Sequence, residues 1–122
     1  MVFEACAAPS DRASFMDWYD EQTEWTEPHE YDDPKITSSA LHDWFMEMIT
    51  FFPVINGPYA TDDFDHPNVT DYSIGKDVIY IAFSWSCAEE AYQKTRELAE
   101  KHKVGFFDVS SDQGEIVVPS NT

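Results

Sequence analysis

Basic residues are scarce in this chain: 122 residues hold 7 Lys plus Arg against 24 Asp plus Glu, for a formal net charge of -17. Affinity for a phosphate backbone comes from Lys and Arg displacing condensed counterions, so direct nucleic-acid binding is not expected. Docking on an anionic membrane surface also needs basic clusters and is disfavoured on the same ground. Cysteine is almost absent, with only Cys6 and Cys87. A secreted domain that depends on disulfides carries more, at regular spacing, so two reduced thiols in a cytoplasmic protein are expected. The N-terminus has no basic segment and meets Glu4 and Asp11 before any apolar run of signal-peptide length. The longest apolar runs, 49–55 and 78–83, fall far short of the roughly 20 residues that span a bilayer. Glycine numbers 4, and Gly75 and Gly105 are isolated, so phosphate-cradling Gly-rich loops are missing.

Apolar residues are not scarce. Hydrophobic residues make up 43% of the chain and aromatic ones 16%, enough to build a core despite the charge. The length sits near the commonest size for one folding unit, so residues 1–122 are read as a single domain. Its acidity is uneven. Residues 1–75 hold 16 acidic and 2 basic residues, whereas 76–122 hold 8 acidic and 5 basic. In the first part thirteen of the sixteen acids fall into two runs: nine between Asp11 and Asp33, opposed only by Arg12, and an expected loop with Asp62, Asp63, Asp65 and Asp71.

Hydrophobic spacing predicts three helices. The first opens at Ser10 or Asp11, buries Phe15, Trp18, Tyr19 and Trp25 with Gln22 on the seam, and stops by Pro28. The second opens at Ser38 or Ser39 and keeps Leu41, Trp44, Phe45, Met48, Ile49 and Phe52 on one face until Pro53. The third begins with a capping-box pattern, Ser86 and Glu89, buries Ala88, Ala91, Tyr92, Thr95, Leu98 and Ala99, and ends near Lys101-His102-Lys103. Strands are expected at 2–6, 78–84, 104–109 and 115–118, the last two joined as a hairpin. The order β-α-α-β-α-β-β, with helical crossovers and one hairpin, predicts an α+β domain: a small mixed β-sheet with three helices mainly on one face.

Residue patterns that carry catalytic chemistry are few in this sequence. Asp62-Asp63-Phe64-Asp65-His66 has the oxygen and nitrogen donors of a cation loop, but it lacks the alternating Asp spacing, internal Gly and terminal Glu of an EF-hand. His29-Glu30 and His42-Asp43 lack the second His at four residues that a zinc-protease helix needs. Cys87, near the start of the third helix, has Glu89 and Glu90 beside it, which oppose a thiolate, and no Cys-X-X-Cys partner. Ser84-Trp85-Ser86 lacks the glycines of a nucleophile elbow. No catalytic residue, metal or cofactor is assigned, and the protein is read as not an enzyme.

The acids carry the strongest signal. At about 100° per residue, Asp17, Asp20, Glu21 and Glu24 occupy a sector of the first helix opposite Phe15, Trp18, Tyr19 and Trp25. The pairs Asp17/Glu21 and Asp20/Glu24 are like-charged at i,i+4, each costing about 0.2–0.5 kcal/mol. Repulsion continues through Glu27, Glu30, Asp32 and Asp33 and again at Asp62, Asp63 and Asp65. A solvated face kept acidic for solubility accounts for part of this; a basic protein that discharges it accounts for the whole. Trp25 and Tyr31 stand beside the stripe either as interface anchors or as core residues.

Phe52-Pro53-x-x-Asn56-Gly57-Pro58, Asp71-Tyr72-Ser73-Ile74-Gly75, Ile79-Tyr80, Phe83-Ser84-Trp85-Ser86-x-Ala88-Glu89-Glu90-Ala91 and Val104-Gly105-Phe106-Phe107-Asp108 together resemble a small acidic bacterial family. That family is similar to the immunity proteins of polymorphic-toxin and contact-dependent growth-inhibition systems. The resemblance runs from about Phe15 to Pro119, rests on mostly structural motifs and implies no catalytic residues. It implies a first strand longer than Met1 leaves room for. The leading expectation is therefore a cytoplasmic inhibitor: an immunity protein, or a nucleic-acid mimic, that covers a basic, nuclease-like toxin through the eleven acids of the two runs from Asp17 to Asp65. The alternatives are a divalent-metal protein using the Asp62–His66 loop and an acidic scaffold or regulatory interaction protein.

Overall fold

Residues 1–27, 31–55, 57–62, 67–108 and 115–118 are described by the computed structural model. Among them five strands form one sheet: β1 (Val2–Phe3), β2 (Asp71–Ile74), β3 (Val78–Ala82), β4 (Gly105–Phe107) and β5 (Ile116–Val117), in spatial order β2-β3-β1-β4-β5. Three α-helices accompany it: α1 (Arg12–Gln22), α2 (Ser39–Met48) and α3 (Ala88–Lys101). The α+β class expected from the sequence is what the chain forms.

Three details differ from expectation. An additional strand, β2, precedes β3; its four residues alternate outward and inward, with Tyr72 and Ile74 buried. The sheet is antiparallel at every pairing rather than mixed. Joined through α3, β3 and β4 run parallel to each other as a helical crossover requires, but β1 lies between them and pairs antiparallel with both. The helices also divide between the faces. Val2, Ile79, Ile81, Tyr72, Ile74 and Phe106 pack with Leu41, Trp44 and Phe45 of α2 and Ala91 and Leu98 of α3. On the other face Phe3, Val78 and Phe107 pack with Phe15 of α1. Period-2 alternation along each strand creates both cores at once.

Helix ends follow their caps. Asp11 accepts from the Ser14 N–H at 2.9 Å and opens α1. That helix stops at Gln22, short of Trp25, because the Thr23 hydroxyl donates back to the Tyr19 carbonyl at 2.9 Å and Trp25 takes a left-handed backbone, φ 54°. Ser38 caps α2 through the Leu41 N–H, and α2 yields to a turn after Met48 rather than running to Pro53. The Ser86 capping box does not form. A 3₁₀ turn over Trp85–Cys87 leads into α3, whose first turn has Glu89 and Glu90 to meet the helix dipole. Buried polar groups are matched: the Tyr72 hydroxyl donates to the Phe52 carbonyl at 2.8 Å, and the Trp44 indole to Thr95 at 3.4 Å.

The edge of β2 is covered rather than left open. The Ile74 N–H donates to the Tyr31 carbonyl at 2.8 Å, and Thr70, just before the strand, bridges to Val54. At the centre, Met1 continues the β1–β4 ladder: the Phe107 N–H donates to the Met1 carbonyl at 2.8 Å and the Met1 amino group donates to the Phe107 carbonyl at 3.1 Å. Burial lowers the pKa of that amino group to about 5, against the pull of Asp108. No helix among the described residues is long and apolar enough to cross a membrane.

Gly105 is set directly across from Phe3, and a Cβ there would lie 2.2 Å from the ring. The glycine gives the ring its place beneath α1, where Phe3 meets Phe15 edge-on at 5.1 Å. Replacing Gly105 with Ala should therefore cost about 1–3 kcal/mol by overpacking, read as a lower urea midpoint at unchanged m-value. The Phe3→Leu/Gly105→Ala double variant should lose less than the sum of the singles.

Candidate partner-binding face

The face covered by α1 carries the predicted acids that can meet a partner. Asp17, Asp20 and Glu21 are exposed on the helix, and Glu24 is exposed just past its C-cap. Among the described residues none of the four forms an ion pair, whereas the acids that do are drawn mainly from the far side of the sheet. Glu47 of α2 binds Lys101 at 2.9 Å and His102 at 2.8 Å, Glu97 binds Lys94 at 3.3 Å, and Glu115 binds Arg96 at 3.3 Å. The cations of these pairs belong to α3 and its end, whereas Arg12 opens α1 itself and Lys35 and Lys76 lie in turns.

The remaining predicted acids divide by role. Glu27 is half-buried and structural: its carboxylate accepts from the Lys76 N–H at 3.1 Å, in the Gly75–Asp77 turn that joins β2 to β3. Asp33 accepts from the Lys35 N–H at 3.0 Å and caps a 3₁₀ turn over Pro34–Ile36. Asp32 is half-buried, and its carbonyl lies 2.3 Å from where a Cβ on Gly57 would stand; Gly57 keeps φ at +84° there. Asp62 is exposed. Glu30, Asp63 and Asp65, with His66, lie outside the described residues.

Asp71 is not in a loop. It opens β2 with its side chain on the α1 face, opposite Ala82, while Ser73 stands opposite Tyr80. Together with Tyr19 of α1, its C-cap Thr23 and Trp25, these residues line an open groove of about 380 Å³. Trp25 meets Tyr31 at 5.1 Å and Tyr80 at 6.3 Å, both edge-on. Its left-handed backbone costs about 1–2 kcal/mol for a residue with a Cβ, and these contacts hold it in place. Tyr31 is fixed in turn by the Glu27 N–H, which donates to its hydroxyl at 2.7 Å. Burial first, then Tyr80 and Asp20, holds the Tyr19 phenol above its ordinary pKa, so it is a neutral ring wall at any physiological pH. The sequence held the signal for β2, polar Asp71 and Ser73 alternating with apolar Tyr72 and Ile74, but four residues beside an Asp-rich stretch read as loop.

Among the described residues, chemistry elsewhere is sparse. Cys87 is 6% exposed within the main core, 3.4 Å from the Ser84 hydroxyl, with no base beside it. The His102–Glu47 contact ties α3 to α2. Among the described residues no three His, Cys, Asp or Glu side chains gather closely enough to hold a metal ion. A second cleft, of about 230 Å³ near Met1, is walled largely by Ile81, Phe83, Tyr92 and Phe106, with Asp108 the only carboxylate among the described residues that line it.

Comparison with family models, curated proteins and solved structures finds no significant match for this chain.

The turn at Asp77 gives the face a pH test. Burial, with Glu27 and Glu4 nearby, raises the Asp77 pKa against the opposing pull of Lys76. A carboxyl whose folded pKa is raised destabilises the fold when ionised, so its cost appears as pH rises through the folded pKa and is absent below the unfolded one. Asp77→Asn should stabilise the protein at pH 7 by about 0.2–1 kcal/mol, the scale of partly exposed charges. The gain in urea-unfolding free energy should vanish below about pH 3.5, where the unfolded carboxyl is also protonated.

Proposed function

We propose that this chain is a non-enzymatic protein-binding inhibitor, of the immunity-protein kind, whose α1 face covers a basic surface on a toxin or nuclease-like protein. The observation that carries this reading is the set of exposed carboxylates Asp17, Asp20, Glu21 and Glu24, which form no ion pair among the described residues and outnumber Arg12, the one cation of α1, four to one. Such a face steers a basic partner from a distance and matches it on contact. The sequence resemblance to immunity proteins points the same way, as does the scarcity of catalytic groups among the described residues. Glu27 and Asp33 belong to the scaffold that presents this face, and the reading places binding on Asp17, Asp20 and Glu21 of α1 and on Glu24 just past it. Action in the cytoplasm is part of the same proposal.

The test is the variant Asp17→Asn/Asp20→Asn/Glu21→Gln/Glu24→Gln. Within the helix it removes one i,i+4 repulsion, Asp17/Glu21, so its unfolding free energy should rise by about 0.2–0.5 kcal/mol. Affinity capture from lysate of the source cell should recover a basic protein on the wild-type chain, released by raising salt from 50 to 500 mM. The variant, although folded and slightly more stable, should bind that protein at least about tenfold more weakly. Capture that is indifferent to both salt and the four substitutions sinks the proposal.

A further inference from the structure

The groove beside α1 constrains which partner side chain the acidic face can admit. Its floor is the α1 side of the β2–β3 hairpin, where the cross-strand pairs Asp71/Ala82 and Ser73/Tyr80 lie side by side. Its walls are Tyr19 of α1, the C-cap residue Thr23 and Trp25 beyond it. None of the lining residues is basic, and Asp20 and Glu24 neighbour the walls in the chain. Three aromatic rings and one exposed carboxylate in an open groove form a receptor rather than an anchor. A residue that projects from an interface would leave its ring free, whereas Trp25 is already packed on Tyr31 and Tyr80.

We propose that this groove receives an arginine side chain of the basic partner, its guanidinium stacked against the Trp25, Tyr80 and Tyr19 rings and paired with Asp71 and the Ser73 hydroxyl. The inference rests on the reading of the α1 face as the partner-binding surface and adds the group that the face selects. Guanidinium suits the groove better than ammonium does. Its plane stacks on aromatic faces, its fork reaches a carboxylate and a hydroxyl together, and its weaker hydration makes it easier to withdraw from water. The acids along α1 supply long-range attraction for any cation; the groove supplies the short-range choice between arginine and lysine.

The experiment uses the whole chain with hexa-arginine, hexa-lysine and hexa-citrulline peptides as probes, followed by two-dimensional amide and indole NMR at 150 mM salt. Trp25→Phe assigns the Trp25 indole signal. Hexa-arginine should give saturable shifts centred on the Trp25 indole and the Ser73 and Ala82 amides, hexa-lysine should bind several-fold more weakly, and the uncharged, isosteric citrulline peptide should not bind. Tyr80→Leu should weaken hexa-arginine roughly tenfold. Because Tyr80 also packs in the α1 core, Ala82→Arg serves as the second variant: it adds a cation at an exposed position of the groove and should abolish the shifts without unfolding the chain. Shifts confined to residues 17–24 and untouched by Ala82→Arg overturn the groove but leave the acidic-face reading standing. Equal affinity for the arginine and lysine peptides, or binding of citrulline, overturns the guanidinium assignment. No saturable binding of either cationic peptide overturns the groove and the acidic face together.

Discussion

Val2 and Phe3 point to opposite faces at the centre of the sheet, and both are fully buried. That alternation couples the two halves of the molecule. Val2 belongs to the core under α2 and α3, while Phe3 belongs to the core under α1 and occupies the space that Gly105 leaves across the ladder. A slip of one residue in β1 would exchange the two side chains and empty both cores. The strand can be as short as two residues because it is paired on both sides and because Met1 extends the ladder to β4.

Much of the fold was legible from spacing alone, and the limits of that legibility are physical. Leu41, Trp44, Phe45 and Met48 recur at helical intervals, and all four are buried, since a helix packed on a sheet needs one continuous apolar face. Helix ends were less legible because they turn on single hydrogen bonds: the Thr23 hydroxyl on Tyr19 ends α1, and nothing in the apolar pattern records it. The split of the helices between faces was hidden as well. Apolar periodicity states that a helix has a buried side, and the sheet face it meets is set by connections such as the insertion of β1 between β3 and β4.

The candidate site was legible in its charge and illegible in its shape. Asp17, Asp20, Glu21 and Glu24 were identifiable because like charges at helical spacing stand out against the apolar seam. Glu27 and Asp33 look the same in sequence, yet they serve as hydrogen-bond acceptors for turns, a distinction visible only when Lys76 and Lys35 N–H groups are placed beside them. The groove joins residues 19–25 to residues 71–82, a juxtaposition that depends on the α1 core holding Tyr80 against Trp25.

The two faces of the sheet also treat charge differently. Across α2, α3 and the approach to β5, Glu47, Glu97 and Glu115 meet Lys101, Lys94 and Arg96, so part of the charge on that side is internally compensated, although Glu89, Glu90 and Glu100 of α3 are exposed. Along α1 the chain leaves its carboxylates to water. Exposed ion pairs add little to stability, so the cations on α3 do not explain the fold; their consequence is that they neutralise carboxylates of α2, α3 and Glu115 rather than those along α1. Repulsion there is weakened by solvent and salt while the face is open, and it grows as a neighbouring surface excludes water. An uncharged or acidic neighbour would therefore meet a rising penalty on approach, whereas a basic one would relieve it. The same groups that weakly destabilise the free protein thus act as a filter on what can cover it, and the aromatic groove beside them determines how closely a cation that passes the filter can settle.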